Sequence, residues 1–200
     1  MINLQFSDAM AAARAAGVKT VTRRLGCRLQ PGDICFHGEA LVSAALPVSY
    51  RGITHAANYR RDAARVLMAT TDRGFQPWVW KRKVLPARYC PERCARMFSV
   101  IRSVRSEPLN EITEEDAIAE GVAEWLDEVN EKVARCYGEP HRAAFAMLWD
   151  SLNAQRAPWD ANPTIYRVEL GPVLTRDQVA KLTGIQDRAR RLERAEGIAA

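Results

Sequence analysis

The chain has 200 residues, 48% of them hydrophobic and 26% charged, with a net charge of +5. This is the composition of an ordinary soluble globular protein, with enough chain for one domain and an extension. It contains no run of about 18 apolar residues that would span a membrane, and Met1 to Phe6 is too short and lacks the basic lead of a signal peptide, so a cytoplasmic location is expected.

Ser7 is the expected N-cap of a helix running to about Ala16, with Asp8 in its first turn. Gly17 stops that helix and opens the segment Gly17 to Leu25, where Lys19, Thr20, Thr22, Arg23 and Arg24 crowd together. A regular strand would separate Lys19 from Thr22, whereas a half-turn after Gly17 would bring residues i and i+3 together. The second geometry sets an amine beside a hydroxyl nucleophile; the first is a basic edge strand, and both readings stand at this point. Leu29 to Asp33 reads as a Pro-Gly turn into a short strand, Ile34 to Phe36. A strand near Ala40 to Val48 and a helix near Asn58 to Met68 are expected next, then an irregular stretch holding Trp78 and Trp80. Lys81-Arg82-Lys83 and Arg88-Tyr89 follow, and cations interleaved with aromatic rings are one way of holding single-stranded nucleic acid.

Arg96 to Arg105 reads as a long strand. Thr113 caps a helix with Glu114, Glu115 and Asp116 in its first turn, Ile112 stapling onto Ala117. Ile118, Val122, Trp125, Val129 and Val133 continue at helical spacing past Gly121. Pro140 starts another helix, whose Phe145, Leu148, Trp149 and Leu152 share an apolar stripe, with both tryptophans Trp125 and Trp149 expected in the core. Trp159 to Pro163 is a loop, Thr164 to Leu170 alternates as a half-buried strand, and a charged tail with a weak 3.5-residue repeat follows Gly171-Pro172. Strands and helices without regular alternation predict an α+β fold.

Cys27, Cys35, Cys90, Cys94 and Cys136 are odd in number and read as buried thiols, not a disulfide framework. Cys90-x-x-x-Cys94 has half of a zinc spacing, but His37, His55 and His141 are scattered, so neither metal nor cofactor is expected. Charge is uneven: residues 1–110 carry 18 Lys and Arg against 7 Asp and Glu, residues 111–175 carry 5 against 13. A basic face or cleft for a phosphate-bearing partner follows, since nucleic acid wrapped over the acidic half would be repelled.

Taken together, Lys19-Thr20-Val21-Thr22-Arg23-Arg24, Gln30-Pro31-Gly32-Asp33-Ile34, Ile112 to Val122, Leu148 to Asn153 and Trp159 to Pro163 resemble the ASCH domain family, most closely its longer members encoded by phages and prophages. The resemblance implies a PUA-like small β-barrel flanked by helices over residues 1–173, with a variable insertion at about 38–80 and a helical tail over 174–200. Compact members of the family remove the acetyl group from 4-acetylcytidine, and another is described as a ribonuclease. In the amidohydrolases a Lys-Thr-x-Thr-x-Arg segment and a helix glutamate form the site. By motif, these become Lys19, Thr22 and Glu120, with Arg24 as the final arginine. Glu39 is a second acid for the cleft, ranked below Glu120.

Three functions remain open from the sequence. In the first, an amidohydrolase acts on an acylated nucleoside: Thr22 attacks the acyl carbon, and Lys19 takes its proton once burial and neighbouring cations lower its pKa. In the second, a non-catalytic RNA-binding module uses Thr20, Arg23, Arg24, Arg88 and Tyr89 on a nucleoside or single-stranded RNA. The third is a metal-independent ribonuclease. The tail is expected to pack outside the barrel or to mediate self-association.

Overall fold

The computed structural model describes residues 1–67, 74–123 and 138–198. The elements are β1 (Ile2–Gln5), α1 (Asp8–Ala15), β2 (Val21–Arg24), β3 (Ile34–Gly38), β4 (Leu41–Tyr50), β5 (Ile53–Tyr59), β6 (Val84–Leu85), β7 (Phe98–Pro108), α2 (Glu114–Ala119), α3 (Pro140–Asn153), β8 (Thr164–Leu170) and α4 (Arg176–Ile198). Short 3-10 turns intervene, among them Ala87–Tyr89 after β6. One sheet runs β1-β3-β7-β8-β2 and a second runs β5-β4-β6. The β1/β3 pair is parallel, and the other ladders are antiparallel. The fold is therefore α+β, and the strands expected around residues 96–105 and 164–170 lie side by side in the first sheet.

Local sequence explains the helix ends near the site. Ser7 Oγ accepts from the Met10 amide at 3.3 Å, satisfying one orphan donor of α1. At the other end Gly17 adopts φ +80°, and the amides of Val18 and Lys19 both return to Ala13 O at 3.0 and 3.1 Å. The chain turns there and enters β2 two residues later. Thr113 Oγ1 accepts from the Asp116 amide at 3.1 Å, as its cap position requires. Glu114, in the first turn of α2, also accepts from the amides of His141 and Arg142 at 2.9 and 2.8 Å. A carboxylate of one helix thus caps the next and fixes where α3 begins.

Two apolar clusters hold these elements. Leu4, Phe6, Met10, Ala11, Cys35, Ile101, Val168 and Leu170 pack α1 against the first sheet. Leu109, Ile112, Ala117, Val122, Phe145, Trp149 and Ile165 join α2 and α3 to its β7–β8 end. Each large side chain so buried contributes about 1.5–3 kcal/mol. The tail is tied to the same sheet: Val179 packs with Phe36 and Phe98, and the Arg176 guanidinium donates to the carbonyls of Glu92 and Ala95 at 2.5 and 3.1 Å.

The helix expected near Asn58 to Met68 is not formed over its described part. Asn58 and Tyr59 end β5, paired with Val42 and Leu41 of β4. The chain then doubles back through Ala63 at φ +55°, and the Val66 amide bonds Ala57 O at 2.8 Å. Burial of Ala57, Tyr59 and Val66 around Leu41 and Leu85 decides the outcome, as tertiary packing overrides local helix propensity. Trp125, Val129, Val133 and Cys136 lie outside the described residues. Cys35, Cys90 and Cys94 are free and buried, and Cys27 is free and half-buried.

Candidate functional site

The first sheet has two edges, β1 and β2, and no backbone ladder joins them among the described residues. Arg24 crosses instead, its Nη2 donating to Gln5 O at 3.0 Å. Beside this seam lies a cleft of about 720 Å³ lined by residues of β1, α1, β2, the Ala87 turn, Glu120 and α3. Its lining combines apolar Phe6, Phe145, Leu148 and Trp149 with Lys19, Thr22, Arg24 and Arg88, and the Phe6 ring centroid lies 5.4 Å from Lys19 Nζ. The Ala87 turn is held to the rim through Asn3, whose Nδ2 donates to Ala87 O at 3.1 Å while its Oδ1 accepts from the Gly38 amide, also at 3.1 Å.

Lys19 and Glu120 form the buried centre. Lys19 Nζ is 2.6 Å from Glu120 Oε2, 2.8 Å from Glu120 O and 2.9 Å from Val21 O, one acceptor for each ammonium proton. Burial pushes the Lys19 pKa below its usual value, while the charge and hydrogen bond of Glu120 oppose the shift. The approach depends on Gly121, which follows Glu120 at φ +78°; a Cβ there would stand 2.8 Å from Ala13 Cβ and 3.1 Å from Lys19 Cβ. Only glycine combines that left-handed backbone with so close a contact. The Thr20 amide donates to Ala119 O at 2.8 Å, a second tie between this turn and the start of β2.

Arg23 reaches the cleft wall, yet its guanidinium is occupied. It contacts Glu107 Oε1 at 2.8 Å, Asp116 Oδ2 at 2.5 Å and Glu120 Oε1 at 3.4 Å, with no exposed side-chain surface. Arg167 contacts the same Asp116 at 2.8 Å, and Arg105 contacts Glu107 at 2.7 Å. Burial would raise the Asp116 pKa, but hydrogen bonds from Arg167 and Arg23 hold the carboxyl below its usual range. Arg23 therefore steadies Glu120 from behind and presents little charge to a ligand.

Arg24 is in the opposite condition. Its Nε is buried without a partner, Gln5 O is its hydrogen-bond acceptor, and no carboxylate among the described residues pairs with it. Its guanidinium lies 5.9 Å from the Phe6 ring centroid, and burial lowers its pKa. Behind Phe6 stands His37, fully buried and edge-on to that ring at 5.1 Å, with neither ring nitrogen partnered. Burial first, then the charges of Arg14, Lys19 and Arg24, push His37 down to about 3. Arg14 is equally enclosed: it donates to Lys19 O at 2.8 Å and clamps Ser99 Oγ and Gly171 O.

The cleft thus gathers Lys19, Thr22, Arg23, Arg24, Arg88 and Glu120, while three other candidates stand outside its lining. Glu39 is a correction. It is buried against Arg96, which grips it with two bonds of 2.7 Å, and against Arg61 at 3.2 Å. Thr20 is exposed and engages through its backbone, and Tyr89 is exposed beneath the Arg88 guanidinium, 5.0 Å from its ring centroid. Sequence reasoning placed Trp149 in the core and missed its second role in the cleft wall with Phe6 and Phe145. Leu152 carried the signal: an apolar stripe reaching a position that is 71% exposed is wider than the core needs, and it lies on the cleft mouth. Glu107 was missed because nothing in a strand's alternation names the cation it will meet.

Compared with known protein families, characterised proteins and solved structures, the chain shows no significant match. Fold and site define an α+β protein with an aromatic-walled, basic cleft around a buried lysine–glutamate pair.

Proposed function

We propose that the chain is an amidohydrolase that removes an acyl group from a modified nucleobase such as that of 4-acetylcytidine, built on a PUA-like small barrel whose seam lies between β1 and β2. The observation that carries this reading is the meeting of Lys19, Thr22 and Glu120 in one cleft. Its volume, about 720 Å³, suits a ligand of nucleoside size, and the ring-lined wall suits a flat base.

In this reading Glu120 Oε2 takes a proton from the Lys19 ammonium, leaving an amine that accepts the Thr22 hydroxyl proton as Oγ1 attacks the acyl carbon. Lys19, charged again, returns that proton to the exocyclic nitrogen as the C–N bond breaks. Water then attacks the threonyl ester with Lys19 as base, releasing the carboxylic acid and restoring the hydroxyl. Described contacts include no hydrogen bond between Thr22 and Lys19, whose three ammonium protons are taken by Val21 O, Glu120 O and Glu120 Oε2, so the reading requires the Lys19 amine to turn toward Thr22 in the substrate complex.

The test is release of acetate from 4-acetylcytidine. Thr22→Ala abolishes it with binding nearly intact, and Lys19→Arg is almost as damaging because a guanidinium stays protonated. Wild-type protein that releases no acetate at any pH from about 6 to about 10, a range spanning ordinary lysine titration, refutes the proposal. One observation favours a second reading, a non-catalytic nucleoside- or RNA-binding module: the three acceptors around Lys19 Nζ are those of a structural ammonium. Under that reading Thr22→Ala weakens binding and no turnover is seen with any acylated nucleoside.

A further inference from the structure

Charge pairing around the cleft is uneven in a way the acyl chemistry does not use. Lys19 is matched by Glu120, and Arg23 by Glu107 and Asp116. Arg24, Arg88 and Arg156 also line the cleft, and among the described residues no carboxylate pairs with any of them. Arg24 and Arg88 both meet β1: Arg24 Nη2 donates to Gln5 O, and Asn3 Nδ2 approaches the backbone carbonyl of Arg88 at 3.5 Å, while the Arg88 guanidinium stacks on Tyr89. A guanidinium that is largely desolvated, with an unpartnered Nε and only the nearby charge of Glu120, itself paired with Lys19 and Arg23, to oppose burial, is an unfavourable arrangement on its own. It becomes favourable when an anion with several acceptor oxygens enters.

We infer that the ligand of this cleft is a phosphorylated nucleoside, its base against the Phe145 and Trp149 wall and its phosphate on Arg24 with Arg88 beside it. A phosphate matches the arrangement better than a carboxylate does. It offers three acceptor oxygens and up to two negative charges, and arginine binds it through two parallel N–H bonds. The inference rests on the nucleoside reading above but not on hydrolysis. The phosphate is either a terminal monoester or the diester of a short oligonucleotide.

The experiment is calorimetric titration of the full chain with cytidine, cytidine 5′-monophosphate and a cytidine trinucleotide, none of which carries an acyl group. At least one phosphorylated ligand binds about tenfold or more tighter than cytidine, and Arg24→Gln reduces that ratio to about threefold or less, as expected for loss of a charge-assisted bidentate contact. Gain for the monophosphate identifies a monoester site, and gain for the trinucleotide alone identifies a diester site. Equal affinity of all three for the wild-type protein overturns the inference, as does an unchanged ratio in folded Arg24→Gln. Because Arg24 also bridges β1 and β2, Arg88→Gln serves as the second variant and lowers the same ratio by a smaller factor. If the phosphate preference is present but 4-acetylcytidine 5′-monophosphate is not hydrolysed, the anion site stands and the amidohydrolase reading falls; turnover without preference gives the reverse.

Discussion

Glu120 and Glu39 are two buried carboxylates of one chain, each ion-paired, and their chemistry differs because their partners differ. Glu39 is held by Arg96 and Arg61, whose guanidinium groups are partly exposed. Burial pushes the Arg96 pKa down, but hydrogen bonds and charge from Glu39 outweigh it and raise it further. That pair has no proton to move. Glu120 faces an amine whose pKa is lowered by burial, at 2.6 Å, on the wall of a cleft. A buried carboxylate becomes a candidate for proton chemistry through the lability of its partner, not through burial itself.

The contrast is broken most directly by Glu120→Gln. It leaves Lys19 buried and unmatched, so a loss of about 3–5 kcal/mol in urea denaturation is expected, together with loss of acetate release. Gly121→Ala comes next. The left-handed backbone costs a residue with a Cβ about 1–2 kcal/mol, and the contact with Ala13 and Lys19 adds to it. A lower Tm and weaker turnover follow, since the Glu120 carbonyl is moved off Lys19. Glu39→Gln is milder, about 1–2 kcal/mol, because Arg96 and Arg61 can turn to water when their acceptor is weakened. A Glu39→Gln variant as destabilised as Glu120→Gln would erase the distinction.

A pH-dependent effect sharpens the electrostatics beside Arg14, Lys19 and Arg24. His37 has a folded pKa of about 3 against 6.5 for a free histidine. Between those values the unfolded chain binds a proton that the folded chain does not, so stability rises with pH through that window and its full contribution is present above 6.5. Urea midpoints measured across the window should show a shallower slope for His37→Phe than for the wild type. An identical slope would mean that the imidazole takes up its proton as readily in the folded chain as in the unfolded one.

Much of the framework was legible because it is local. The caps at Ser7 and Thr113, the stop at Gly17 and the proline at the start of α3 are written in neighbouring residues, and the apolar run Phe98, Val100, Ile101 and Val104 marked β7 as the alternation of Tyr166, Val168 and Leu170 marked β8. The 58–68 region was misread because Tyr59 and Val66 answer to β4 and β6 far along the chain. In the site, Lys19, Thr22 and Glu120 were found through a motif resemblance. The division between Arg23 and Arg24 was not readable: adjacent arginines look alike until a fold sets three carboxylates in ion-pair contact with one and leaves the other without an ion pair among the described residues. The same lack of partner information put Glu39 in the wrong place.

The open seam also bears on how copies of this chain avoid one another. β1 and β2 are both edge strands, each four residues long, with no backbone ladder on their free sides among the described residues. Such edges template association between molecules, and short length and charged side chains are the usual protection. Arg24, lying across that gap, is then placed to guard against aggregation as well as to make the ligand contact proposed above. Variants that neutralise it will need their solubility checked before their chemistry is interpreted.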